Sequence, residues 1–254
     1  MKKKSTLVQS LLILLISVVL VALYGVIPLP DYNTEINNEI EGAIYYLVDI
    51  QSSNLIPPAP DILDECIFKI DISITKIKET KVICTSDLYQ YSSDIYLNDS
   101  EIDENQNIVI RYYDNVLNSQ MALIIDTKSN VTSKSKIESL STNQSMYELN
   151  SRGERLLSRW DMQDTSARSA GIYYQKNSTI VEVFSIEAPT NYYFESVKWA
   201  QDGESIVALD TENDIIIFSK NKMFDPIKLI IDNYYSSEIE GDERVIYQLI
   251  GWSN

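Results

Sequence analysis

The chain has 254 residues, with 21 Lys+Arg against 37 Asp+Glu, no histidine and a formal net charge of −16. Such a balance argues against a nucleic-acid surface, which needs basic residues to replace phosphate counterions, and against lying flat on anionic lipid. Without histidine there is no Ser-His-Asp or Cys-His catalytic group and no imidazole metal ligand, and two cysteines cannot make a four-Cys zinc site.

Residues 7–27 read LVQSLLILLISVVLVALYGVI. At about 1.5 Å per residue a helix of this length spans roughly 30 Å, the thickness of a bilayer's hydrocarbon core. A cleavable signal peptide is the alternative, but its apolar region is shorter and Tyr24 is too large for a good cleavage site. Lys2, Lys3 and Lys4 precede the run, which keeps the N-terminus cytoplasmic under the positive-inside rule. The expectation is a cytoplasmic stub at 1–6, a single transmembrane helix at 7–27 acting as an uncleaved signal anchor, and everything after residue 27 outside the cytoplasm (periplasmic or extracellular). Beyond residue 30 there are 18 Lys+Arg and 37 Asp+Glu, a net charge of −19.

Residues 28–60 read as a linker with a short helix. Ile36, Ile40, Ala43, Ile44, Leu47 and Val48 share one helical face, and Asn33 or Thr34 supplies a cap. The stretch 43–50 (AIYYLVDI) also suits a strand. Pro57, Pro58 and Pro60 make a stiff, extended connection and mark a domain boundary.

Residues 61–254 read as one extracytoplasmic, mainly β domain. Cys66, Phe68, Ile70, Ile72 and Ile74 alternate with Lys69, Asp71, Ser73 and Thr75, the period of a half-buried strand. A second strand covers 81–84. A turn centred on Thr75 places Cys66 opposite Cys84, close enough for a disulfide. Further strands are expected at 94–97, 108–114, 120–126, 146–149, 155–160, 171–174, 179–186, 194–199, 205–209, 215–219 and 227–231. Turns fall between them at 127–130, 151–154, 201–204 and 210–214. Gly153 and Gly203 stand 50 residues apart, and a polar loop at Asn105 lies 48 before Gly153. A multi-strand unit repeating every 40–50 residues is the outline of a propeller blade.

The stretch 197–219 (VKWAQDGESIVALDTENDIIIFS) resembles the blades of TolB-like and WD40-like β-propellers. Their Trp-Ser-Pro-Asp-Gly turn is matched here by Trp199, Asp202 and Gly203, with Ala200 and Gln201 in place of Ser-Pro. Residues 121–133 resemble the third strand and turn of such a blade. The resemblance implies a complete or partial propeller serving as a binding platform; a β-sandwich or meander is the competing architecture. If the ring closes, the apolar segment 244–252 (RVIYQLIGW) is expected to pair with 44–50 or 66–72, because an open ring leaves sheet edges exposed.

No GxGxxG, Walker or GxSxG pattern is present, so no catalytic, cofactor or metal residue is assigned. Ten of the 17 tyrosines come in pairs: Tyr45-Tyr46, Tyr112-Tyr113, Tyr173-Tyr174, Tyr192-Tyr193 and Tyr234-Tyr235. In a strand each pair sends one ring to each face, one into the core and one outward toward a partner. The acids Asp99, Glu101, Asp103 and Glu104, and again Asp210, Glu212 and Asp214, could offer oxygen to Ca²⁺, but they read better as solvated turns. Three functions fit this sequence: a non-enzymatic interaction, scaffold or sensor module with a protein partner, a tether, or a hydrolase using paired carboxylates. The first is preferred. Two acids of raised pKa in a cleft favour the hydrolase, and an exposed Tyr-rich apolar patch favours the interaction module.

Overall fold

The computed structural model describes residues 32–35, 40–52, 62–73, 76–92, 95–103, 105–128, 132–136, 149–158, 169–187, 192–229 and 242–253. The expected stub and transmembrane helix at 1–27, the prolines at 57–60, the expected strand at 146–148 and the pair Tyr234-Tyr235 lie outside these residues. Among the described residues no helix is long and apolar enough to cross a membrane.

The described residues are mainly β, built as four antiparallel sheets. The first holds β1 (Gly42–Ser52), β2 (Ile62–Ser73) and β3 (Lys76–Cys84), together with β15 (Asp242–Ser253) from the far end of the chain. The second runs β4 (Ser100–Ile102), β5 (Ile108–Asp114), β6 (Ser119–Ile125) and β7 (Thr132–Lys136). The third has β8 (Arg155–Ser158), β9 (Ser169–Lys176) and β10 (Thr179–Glu187). The fourth has β11 (Phe194–Trp199), β12 (Ser205–Asp210), β13 (Ile215–Ser219) and the two-residue β14 (Ile227–Lys228).

The expected short helix before residue 52 gives way to strand. Ala43 through Ile50 are all buried, because β1 lies between β15 and β2 with both faces covered. A strand covered on both faces carries a continuous apolar run, and over a few residues such a run also fits a helical face. The expected strand at 94–97 is likewise replaced by a 3₁₀ turn at Leu97–Asp99, closed by the Ser100 hydroxyl donating to the Leu97 carbonyl at 2.6 Å. Strand β14 ends at Lys228 rather than 231.

Apolar seams join the sheets face to face. Ile44, Tyr46, Val48 and Phe68 of the first sheet meet Val207, Leu209, Ile215 and Ile217 of the fourth. From the other face of β1, Tyr45 and Leu47 join Ile67 against Ile108, Ile110, Leu123 and Ile125 of the second. Leu156, Ala170 and Ile172 of the third meet Ile206, Ala208, Ile216 and Phe218 of the fourth. One edge strand of each sheet gathers at the middle: β15 packs against β4 and β11, and β11 against β8. Sheets standing face to face around shared inner strands make a propeller-like arrangement.

The same turn recurs where the inner strands fold back. Gln106, Gly153 and Gly203 adopt φ of 67°, 71° and 68°, and each amide bonds the carbonyl three residues earlier at 2.9–3.0 Å. Glycine takes this left-handed conformation without strain, which is why two of the three turns carry it. The sequence spacing of Gly153 and Gly203 therefore reflects matched positions in two sheets.

The strand 244–252 pairs with β1 as expected: Ile44 lies opposite Trp252 and Ile50 opposite Arg244. The first sheet thus unites the two ends of the domain. Cys66 lies opposite Cys84 in the β2–β3 ladder and is bonded to it, with Cα atoms 4.0 Å apart. Closing a loop of 18 residues in the unfolded chain contributes on the order of 3 kcal/mol in the chain-entropy account. Cys66→Ser with Cys84→Ser is expected to lower stability by about that amount. Thiol labelling of the native, unreduced protein should find no reactive cysteine, and two labelled thiols would dismiss the bridge.

Candidate functional site

Of the acids that the sequence offers as cation ligands, Asp103 and Asp210 cap their own turns and Glu101 and Asp214 are ion-paired, while Glu104 lies outside the described residues. Asp103 Oδ1 accepts the amides of Asn105 and Asn107, both at 2.8 Å, while its Oδ2 accepts Asn107 Nδ2 at 3.0 Å. Glu101 is ion-paired to Arg111. Asp210 Oδ1 accepts the amides of Glu212 and Asp214 at 2.9 and 2.8 Å, and Asp214 pairs with Lys228. Short acidic side chains satisfy turn amides in this way, so their clustering reflects where the turns fall. Asp64, Cys66 and Cys84 also lie close enough to suggest a metal site, but both sulfurs are committed to the disulfide and Asp64 accepts the amide and hydroxyl of Ser86.

Two buried polar groups brace the seam between the third and fourth sheets. At one end, Glu154 is 1% exposed. Its Oε2 accepts Lys220 Nζ and, at 2.8 Å, Asn150 Nδ2; Lys176 Nζ stands 3.3 Å from Oε1. Lys220 also lies over the rings of Tyr174 and Trp199, 4.8 and 5.8 Å from their centroids. Burial alone would raise the Glu154 pKa, but Lys220, Asn150 and Lys176 outweigh it and hold the carboxyl at about 2. Further along the seam, the Tyr32 and Tyr192 hydroxyls meet at 2.8 Å, and Tyr192 is hydrogen-bonded to Asp210. Burial pushes all three pKa values upward. Asn33 accepts the Lys228 amide at 2.8 Å, so residues 32 and 33 are docked on the fourth sheet.

Asp49 and Glu65 come nearest to the paired acids of a hydrolase. They lie opposite each other on β1 and β2, and burial raises both pKa values. Asp49 is 7% exposed and its Oδ1 has no hydrogen-bond partner among the described residues. It sits on a strand packed on both faces, and Glu65 is held by a backbone hydrogen bond with Leu97. Desolvation raises the pair; Asp49 is buried and Glu65 partly so.

The tyrosine pairs divide according to their strands. Tyr45 and Tyr46 both enter the core, one in each seam of β1. Tyr112 is buried and Tyr113 exposed, the expected split. Exposed large apolar side chains include Tyr89 and Tyr96 in the β3–β4 connection, and Tyr113, Val116 and Leu117 at the β5–β6 hairpin. Lys134 of β7 donates to the Tyr91 carbonyl at 3.2 Å and lies over the Tyr91 and Tyr112 rings. Asp114 Oδ1 accepts the amides of Val116 and Leu117 at 3.0 and 2.9 Å, so the hairpin tip is ordered while Val116 is 93% exposed. Alternation in the sequence places Tyr113 outward, but nothing in it ranks the hairpin tip above the other turns.

On the rim of the third and fourth sheets, a groove of about 280 Å³ lies between β10 and the β13–β14 loop, lined by Glu182, Phe184, Phe218, Lys222, Phe224 and Asp225 among others.

No family model and no curated protein matches the chain. Among solved structures it is similar to the β-propeller domain of Cps50 (Swd1) from Myceliophteria thermophila, at 11% identity and a TM-score of 0.24, over 66% of this chain. The match spans 56% of that domain.

Proposed function

We propose that the chain is a membrane-anchored, extracytoplasmic interaction module without catalytic activity, built on a complete or partial propeller in which β15 joins the two ends of the domain in one sheet. The observation that carries the reading is the hairpin tip, where Asp114 holds the turn while Tyr113, Val116 and Leu117 face solvent, with exposed Tyr89 and Tyr96 in the β3–β4 connection. Amphipathic aromatic residues at a rigid surface are the usual anchors of protein interfaces. The Cys66–Cys84 bond suits an oxidising compartment. Residue 32 is docked on the fourth sheet, five residues after Ile27, so the tether from the expected anchor reaches at most about 18 Å and holds the domain near the bilayer.

Val116→Asp with Leu117→Asp tests the surface. Both side chains are exposed, so thermal stability should stay within about 0.5 kcal/mol of the parent. A photo-crosslinking residue at position 113 should capture a protein in intact membranes, and the double variant should abolish that capture. Unchanged capture removes this surface from the proposal. Protease added outside the cytoplasmic membrane should digest the domain, and a protected domain would overturn the topology.

A further inference from the structure

The outer edges of the four sheets are not alike. β3 carries Lys78 and Lys81, and β7 carries Lys134 and Lys136. β14 has only two residues and is bridged by Asn33. Lysines, shortness and covering are the usual protections of an edge strand against pairing. β10 lacks these three and carries instead the glutamates Glu182 and Glu187 and a bulge between Glu182 and Phe184. It runs for nine residues, TIVEVFSIE, with no Lys and no Pro, and among the described residues it pairs with β9 alone. Beside it lies the groove, lined by the half-buried Phe184 and Phe224 over the buried Phe218. Exposed Ile180 precedes the groove residues on β10, and exposed Met223 stands between Lys222 and Phe224. The charges on this edge are mainly acidic: Glu182 and Glu187 on the strand, and Asp225 across the groove against Lys222.

We propose that β10 is a strand-addition site for an extended segment of a partner protein that alternates basic and large apolar residues. The partner's backbone would pair with the outer edge of β10, its apolar side chain would fill the groove, and its basic side chains would face Glu182 and Glu187. Strand addition draws affinity from main-chain hydrogen bonds and specificity from alternate side-chain pockets. A second copy of this chain is a poorer occupant, because β10 against β10 brings four glutamates together. The inference rests on the reading as an interaction module but uses a different surface from the β5–β6 hairpin.

The test uses the full chain in detergent and three fluorescein-labelled nine-residue peptides followed by anisotropy. One alternates lysine with valine and phenylalanine, one has glutamate for lysine, and one keeps the lysines but has proline at its centre. The first should bind at least tenfold more tightly than the other two. Glu182→Lys with Glu187→Lys should weaken it at least tenfold, while Glu195→Lys with Glu212→Lys, on the fourth sheet, should leave it unchanged. A photoreactive phenylalanine in the peptide should crosslink within residues 180–187 or 222–226. Equal binding of the proline peptide would show charge attraction alone and overturn strand addition. Crosslinks elsewhere, or self-association of the chain that Glu182→Lys abolishes, would overturn the site or its occupant. If the hairpin variant loses its membrane partner while the lysine peptide still binds at β10, the two surfaces are independent. A partner captured at position 113 with no peptide binding leaves the module reading standing and removes this one.

Discussion

Deleting residues 242–254 is expected to abolish cooperative folding of the whole domain, although it removes the last thirteen residues only. β15 is a full partner of β1 along ten paired positions, and it packs against β4 and β11 at the middle of the sheets. Leu249, Ile250 and Trp252 are each at most 5% exposed, and they divide between two seams, Leu249 and Trp252 on one side and Ile250 on the other. Burying side chains of this kind stabilises by about 1.5–3 kcal/mol each, so the three contribute roughly 6 kcal/mol before any lost strand pairing is counted. A domain of this size has about 5–15 kcal/mol in total. The truncated chain should therefore show no thermal transition by near-UV circular dichroism, and its β1 edge should promote aggregation. Trp252→Ala, at an expected cost of about 3–5 kcal/mol, gives a graded version that still folds at low temperature. A truncated chain melting cooperatively near the parent temperature would show that β15 is an accessory strand.

The C-terminal strand was legible because residues 244–252 (RVIYQLIGW) are apolar enough to form one, and the expected partner 44–50 is the strand it meets. The disulfide was legible only in part: alternation in residues 66–75 marks the first strand, but a turn without Gly, Asn or Pro leaves the register open. The ladder next to the turn, Ser73 opposite Lys76 through Phe68 opposite Lys81, would set Cys66 against Ile83, and a bulge between Ile67 and Phe68 shifts the register by one residue and brings Cys66 opposite Cys84. Residues 43–50 were ambiguous because a strand buried on both faces shows no period, and only the position of β15 and β2 on either side decides between helix and strand. The turns at Gly153 and Gly203 were readable from glycine spacing. The role of Glu154 was not, because Lys220 lies 66 positions away and nothing in either neighbourhood marks them as a pair. Glu154 and Glu204 come directly after equivalent glycines, yet Glu204 meets Arg152 and Asn221 while Glu154 meets Lys220. Likewise, the acidity of β10 is visible in the sequence, whereas its place at the edge of the third sheet among the described residues, and the groove beside it, exist only once the sheets are assembled.

Replacing one member of the Glu154–Lys220 pair should have the largest effect of any single polar substitution in this domain. Both side chains are at most 5% exposed, and the pair bridges the third and fourth sheets. Removing one partner of a buried ion pair strands the other charge and costs about 3–5 kcal/mol. Lys220→Met is expected at the lower end, because Lys176 and Asn150 still face the carboxylate. Glu154→Gln with Lys220→Met, which leaves no stranded charge, should recover much of the loss; an equal or larger loss would show that Lys220 acts through its ring contacts with Tyr174 and Trp199 instead. The pH dependence separates the charge from the packing. The Glu154 carboxyl is held at about 2 in the folded chain against an ordinary 4.5, so the folded state favours the ionised form. Its stabilisation is fully present above about pH 5 and is lost as pH falls toward 2. In the parent, denaturation midpoints measured between pH 6 and 2.5 should fall steeply through this window. Glu154→Gln should remove that part of the slope while leaving the contribution of other acids. A parent and a Glu154→Gln variant with parallel pH profiles would refute the assignment of the low pKa to this contact.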